Sequence, residues 1–87
     1  MKILQLKDLV RTDSPIYYRR FYSGTVSLDL MGKELDRRID FTVETMPAGN
    51  KEISITALEE VDYPKLPLMQ EIKGFIAGED ARGALPV

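Results

Sequence analysis

The stretch that decides the fold is residues 22–43, which read YSGTVSLDLMGKELDRRIDFTV. Its apolar side chains fall at even positions up to Leu30 and, after Met31-Gly32, at odd positions from Leu35. Alternation with a period of two is typical of a β-strand that buries one face. Partners across a turn of two or of four residues sum to an odd number, so the even set faces the odd set. The stretch therefore predicts an antiparallel hairpin with one apolar face.

A third strand is predicted after the turn-forming segment Met46–Asn50. A five-residue loop there sets apolar residues against apolar residues: Val43 against Ile53 and Phe41 against Ile55, with Ala57 on the same face. Arg37 also falls on the apolar face, and we interpret it as an inward-pointing charge that opposes edge-to-edge association. The pattern predicts a β-meander over residues 16–61.

The period changes to that of a helix after Pro64 and Pro67. Apolar residues then recur at helical spacing: Leu68, Met69, Ile72, Phe75 and Ile76. This stripe predicts an amphipathic helix within residues 64–83, ending at Gly78 or at Gly83, that covers the apolar face of the strands. Residues 84–87 are expected to form a loose tail unless they dock on the domain.

The N-terminal segment, residues 1–15, fits neither period well. We predict a strand over residues 2–6 and a break at Asp13-Ser14-Pro15. At 87 residues, the chain has the size of a single domain over residues 1–87. The predicted fold class is α+β: an antiparallel β-meander of three to four strands with one C-terminal amphipathic helix packed on one face.

The composition is that of an ordinary globular protein, with 44% hydrophobic and 30% charged residues. A net charge of −2 creates no global attraction to nucleic acid or anionic lipid. No apolar run approaches the roughly 20 residues that cross a bilayer, and the first eight residues are too polar for a secretory signal. We therefore expect no membrane contact and a cytoplasmic location, which the lack of cysteine also fits.

The chain contains neither histidine nor cysteine, so it lacks the commonest general base, the thiol nucleophile and the usual zinc ligands. Asp29, Asp36 and Asp40 fall on the polar face of the strands, but Asp36 and Asp40 would lie about 13 Å apart on one strand, too far to share an ion. We interpret this face as solvated, with its acidic charge balanced by Lys33, Arg37 and Arg38. The sequence predicts no catalytic residue, no cofactor and no metal site.

One segment, Tyr17–Tyr22, interleaves aromatic rings with guanidinium groups. Its candidate binding residues are Tyr17, Arg19, Arg20 and Phe21. If the strand continues in register from Tyr22, Tyr18 and Arg20 point inward and Tyr17, Arg19 and Phe21 point outward. Such a cluster can stack bases and neutralise phosphates. The structural alternative is that the rings cap the core and the arginines pair with Glu44 or a neighbouring acid.

Small size and the missing catalytic residue types favour a non-enzymatic protein–protein interaction or assembly module. Its partner would be another protein or a second copy of the chain, as in a homodimer. The alternative function is a single-stranded nucleic-acid-binding domain that uses the Tyr17–Tyr22 segment.

Overall fold

The computed structural model describes residues 1–12 and 15–87. The strands and the helix have these bounds: β1 Lys2–Thr12, β2 Arg19–Leu30, β3 Lys33–Thr45, β4 Lys51–Leu58 and α1 Lys65–Ala81. The strands form one antiparallel sheet in the order β1-β2-β3-β4, and α1 packs on one of its faces. The predicted fold class is confirmed. No helix of the described residues is long and apolar enough to cross a membrane.

β1 contains the strand predicted over residues 2–6 and continues to Thr12. Its pairing with β2 shifts between Ile3 and Gln5 and again between Lys7 and Val10, and Asp8 has a φ of 54°. Each irregularity adds a residue and reverses the alternation, which is why the sequence of β1 follows no single period. The break predicted at Asp13-Ser14 lies outside the described residues.

The β2–β3 hairpin has the shorter of the two turns that the sequence allows, because Leu30 pairs with Lys33. Met31 and Gly32 have φ angles of 53° and 81°. Positive φ at both central residues matches a type I′ turn, whose twist fits the flanking strands. The Asp29 carboxylate accepts a hydrogen bond from the Gly32 N–H at 2.9 Å and fixes the turn.

The β3–β4 hairpin has the predicted five-residue connection and the predicted pairs: Val43 with Ile53 and Phe41 with Ile55. The assignment of Ala57 to the apolar face is wrong. The register shifts between Asp40 and Phe41, so that Thr56 is an extra residue and Ala57 pairs with Asp40 on the polar face. Leu58 then turns to the apolar face, opposite Ile39.

The core lies between the sheet and α1. Its buried members come from β1, β2, β3, α1 and the C-terminal segment: Ile3, Tyr22, Val26, Leu28, Ile39, Phe41, Val43, Leu68, Ile72, Ile76 and Leu85. The rings of Tyr22 and Phe41 stack with their centroids 5.2 Å apart. The helix therefore covers the shared apolar face of the meander, as its stripe predicts.

The end of α1 directs the C-terminal segment back to the core. The N–H of Gly83, whose φ is 69°, bonds to the Asp80 carbonyl, and the N–H of Ala84 bonds to the Glu79 carbonyl. This pair of bonds is a Schellman motif, which reverses the chain after a helix. The expected loose tail is wrong for the next two residues: Leu85 is only 6% exposed, and the Tyr22 hydroxyl donates to the Pro86 carbonyl at 2.8 Å.

Arg37 lies on the apolar face opposite Val26, as the alternation predicts. At this point β4 has already ended, because its last residue, Leu58, pairs with Ile39. The Arg37 Nε donates to the Glu60 carbonyl at 2.9 Å. The side chain thus occupies the side of β3 that β4 leaves open, while its role against association stays a prediction.

Candidate functional site

Tyr17 and Tyr18 are the two central residues of a β-turn. The Arg19 N–H bonds to the Ile16 carbonyl at 3.1 Å and closes the turn, and the Thr45 N–H bonds to the Tyr18 carbonyl at 2.8 Å. The expectation of an extended segment through Tyr17 is therefore wrong, since β2 begins only at Arg19. The turn presents both rings at the end of the sheet.

These two rings border an open groove at that end of the sheet. Their centroids lie 5.6 Å apart in an edge-to-face arrangement, and Tyr17 is 93% exposed while Tyr18 is 43% exposed. The groove has a volume of about 610 Å³ and is lined by Tyr17, Tyr18, Glu44, Thr45, Met46 and Pro47. We call Tyr17, Tyr18, Met46 and Pro47 the tyrosine patch. Exposed aromatic and Met side chains grouped in this way are typical of binding surfaces.

Arg19 is paired within the chain. It lies opposite Glu44 in the β2–β3 register, and its Nε donates to the Glu44 carboxylate at 2.8 Å while its Nη2 lies 2.6 Å from the same oxygen. The interpretation that an arginine of this segment pairs with Glu44 is confirmed. The pair borders the tyrosine patch and offsets the charge of both groups.

Arg20 lies on the opposite face of the sheet and connects it to α1. Its Nη2 donates to the Asp80 carboxylate at 2.8 Å, and its Nη1 donates to the Tyr22 hydroxyl at 2.9 Å. Lys51 of β4 reaches the other carboxylate oxygen of Asp80 at 3.1 Å. The two side chains of the Arg20–Asp80 pair are only 21% and 10% exposed.

The pKa values of this pair reflect the competition between burial and pairing. Burial alone would raise the pKa of Asp80, but the hydrogen bonds from Arg20 and Lys51 prevail and hold it below its ordinary value. Burial would likewise lower the pKa of Arg20, yet the bond to Asp80 raises it. Both groups are therefore charged at neutral pH, and the guanidinium is committed to the fold.

The four candidate residues do not form one surface. Phe21 is half-buried on the polar face opposite Thr42, with Arg19 on the same face, whereas Arg20 faces α1 and Tyr17 lies in the turn. Sequence reasoning did not include Tyr18, Met46 and Pro47. The signal was available in the register, because extending the Arg19–Glu44 pairing beyond the strand brings Tyr17 next to Met46.

The polar face carries a second ion pair. Asp36 accepts from Lys7 at 2.7 Å and from the Ser27 hydroxyl at 2.8 Å, and these bonds lower the pKa of Asp36 and raise that of Lys7. The balancing cation thus comes from β1 rather than from the neighbouring residues that the sequence suggested. Among the described residues, no three acidic side chains come together in a way that could hold a metal ion.

A comparison with protein families places the chain. The family model that matches residues 1–79 is designated BB-0187, so the chain belongs to that family. Neither a curated protein nor a solved structure matches the chain. The family designation states no activity, so the function has to be argued from the geometry of the site.

Proposed function

We propose that this member of the family is a small non-enzymatic protein–protein interaction module that binds its partner through the tyrosine patch. The observation that carries the proposal is the Tyr17 ring, which is 93% exposed on a turn that two backbone hydrogen bonds hold in place. A large ring in water contributes nothing to the core, so its placement is best explained by a surface that covers it.

The patch has the properties of an energetic centre for binding. Tyrosine supplies a large apolar area with few rotatable bonds, so ordering it at an interface costs little entropy. The turn fixes the backbone of both rings before a partner arrives, and Pro47 stiffens the facing loop. Burial of such an area is worth roughly 25 cal/mol per Å² before the costs of association.

The arginines support this proposal by their commitment elsewhere. Arg19 is paired with Glu44 and Arg20 with Asp80, so neither guanidinium is left without a carboxylate to meet a phosphate. A protein surface needs no such charge, because aromatic contacts dominate its affinity.

The proposal is tested by affinity capture from the source cell lysate with the tagged chain and its Tyr17→Ser variant. The wild-type chain should recover a specific protein, and recovery should fall by about tenfold or more in the variant, because one central aromatic contact is worth on the order of 2 kcal/mol.

Met31→Ser is the matched control. Met31 is also apolar and 96% exposed, but it lies in the hairpin turn at the other end of β2. The control should recover as much partner as the wild type. Equal losses at both positions, or a wild-type chain that recovers no specific protein, would contradict the proposal.

Binding to single-stranded nucleic acid remains the alternative prediction. It requires salt-dependent binding of an oligonucleotide that weakens when Arg19→Ala is combined with Arg20→Ala. Our proposal expects no such binding at low salt. The result therefore separates the two functions.

A further inference from the structure

The free edge of β4 presents unpaired backbone groups. The Met46 N–H bonds to the Asn50 carbonyl and the Glu59 N–H bonds to the Arg38 carbonyl, which fixes the alternation of bonded pairs along β3 and β4. Glu52 and Ser54 consequently bond to β3, while the N–H and C=O groups of three other residues point away from the sheet: Lys51, Ile53 and Ile55. No loop or helix in the described part of the chain bonds to these outward groups.

The two edges of the sheet differ in how they are protected. β1 is interrupted by two register shifts and has a positive φ at Asp8, features that oppose the addition of another strand. β4 pairs regularly from Lys51 to Ile55, contains no proline, and carries charge only at Lys51 and Glu52. β4 is therefore the edge that can accept a further strand.

We propose that β4 pairs in antiparallel fashion with β4 of a second copy of the chain, about a twofold axis at Ser54. A closed dimer of this kind uses the same surface on both subunits. The inference deepens the proposed function by naming a second copy as one partner, and it rests on that function only in this respect.

The sequence of β4 favours this register over its neighbours. Residues that face each other must lie on the same face of the joined sheet, so the axis passes through a residue rather than between two residues. An axis at Glu52 opposes two like charges, and an axis at Ile53 sets Lys51 against the partner's Ile55. An axis at Ser54 sets Ile53 against the partner's Ile55 and serine against serine.

The pairing also completes the apolar face. Ile53 and Ile55 are only half-buried in the single chain, although they face the core side. Each pairs through outward backbone groups, which gives on the order of four main-chain hydrogen bonds across the axis. The two sheets then continue into one, with both helices on the same face. An edge contact of this size is expected to have a dissociation constant on the order of micromolar.

A single thiol tests the register. The chain has no cysteine, so Ser54→Cys introduces the only one. At the axis the two residues form a non-bonded pair with Cα atoms roughly 4.5 Å apart, which is within the range of a disulfide. Mild oxidation should convert most of the Ser54→Cys chain to a covalent dimer, as judged by non-reducing electrophoresis.

Glu52→Cys is the matched control, because it lies two residues away on the same exposed face of β4. In the proposed register it does not face itself, so it should stay monomeric under the same oxidation. A Ser54→Cys chain that stays monomeric, or a Glu52→Cys chain that crosslinks to the same extent, would overturn the inference.

A second variant addresses the wild-type edge directly. Ile53→Pro removes an outward N–H and leaves the bonds of β4 to β3 in place. Light scattering should show a dimer for the wild type at concentrations above micromolar and a monomer for the variant, whose fold is checked by circular dichroism. A wild-type chain that is monomeric throughout overturns the inference even if Tyr17-dependent capture of a protein succeeds, and capture can fail while the disulfide still forms.

Discussion

Asp80 is the residue on which three elements converge. It lies at the end of α1 and accepts hydrogen bonds from Arg20 on β2 and Lys51 on β4. Tyr22 extends this network, because it accepts from Arg20 and donates to the Pro86 carbonyl. One carboxylate thus fixes the position of the helix end relative to two strands and, through Arg20 and Tyr22, the C-terminal segment.

Asp80→Asn is expected to lower the free energy of unfolding at pH 7 by about 2 kcal/mol, because it leaves the largely buried Arg20 without its countercharge. The pKa of Asp80 is lower in the folded state than in the unfolded state. Its contribution is therefore complete above the unfolded pKa and is lost as the pH falls through the folded pKa.

Urea unfolding at pH 7 and near pH 2 checks this prediction. The difference between wild type and Asp80→Asn should shrink markedly at the lower pH, because the wild-type carboxyl is then protonated and resembles the amide. A difference that is the same at both pH values would show that the Asp80 charge does not stabilise the fold.

Gly24 is required by close packing between strands. A Cβ at this position would lie 2.6 Å from the Leu9 Cδ2 and 3.0 Å from the Lys7 carbonyl oxygen, and the second contact is with backbone. Gly24→Ala should therefore destabilise the protein by about 2 kcal/mol. Gly74→Ala is the control: its Cβ meets nothing within 4 Å on α1, and it should stabilise by roughly 0.5 to 1 kcal/mol. Thermal unfolding of the two variants checks the opposite signs.

At the scale of elements, the regular parts of the chain were predictable and the irregular parts were not. The β2–β3 and β3–β4 pairings follow from parity, because a period of two allows only one face to be buried. The bulge at Thr56 left no such signal, since it depends on how β4 adjusts to its partner strand. The same limit applies to β1, where two shifts hide the period of a strand that continues to Thr12.

The site was predictable to the extent that it depended on the register. The pairing of Arg19 with Glu44 follows from the hairpin, whereas the Arg20–Asp80 pair joins residues 60 positions apart and depends on where α1 ends. The turn at Tyr17-Tyr18 was missed because tyrosine is typical of strands rather than of turns.

The C-terminal segment offers a prediction at this scale. Leu85 is part of the core although only four residues follow the Gly83 turn, too few to show a period. Leu85→Ala should lower the free energy of unfolding by about 2 to 3 kcal/mol through the cavity it leaves. Val87→Ala should have no measurable effect, because Val87 is fully exposed. Equal stability of both variants in urea would mean that the segment does not dock.

At the scale of the whole molecule, the two faces of the sheet have different tasks. One face and α1 form the core, and the polar face is covered by paired charges such as Asp36 and Lys7. What remains for recognition is the tyrosine patch at one end and the edge of β4 at the side. The molecule is 39 Å long, so the patch and the Met31-Gly32 turn at the other end of β2 present separate surfaces.

The most direct test of the proposed function is site-specific photo-crosslinking in the source cells, with p-benzoylphenylalanine placed at position 17 or at position 31. The account predicts a discrete adduct with a partner protein from position 17 and none from position 31. The absence of an adduct at position 17, or the same adducts from both positions, would contradict the claim that the tyrosine patch is the binding surface.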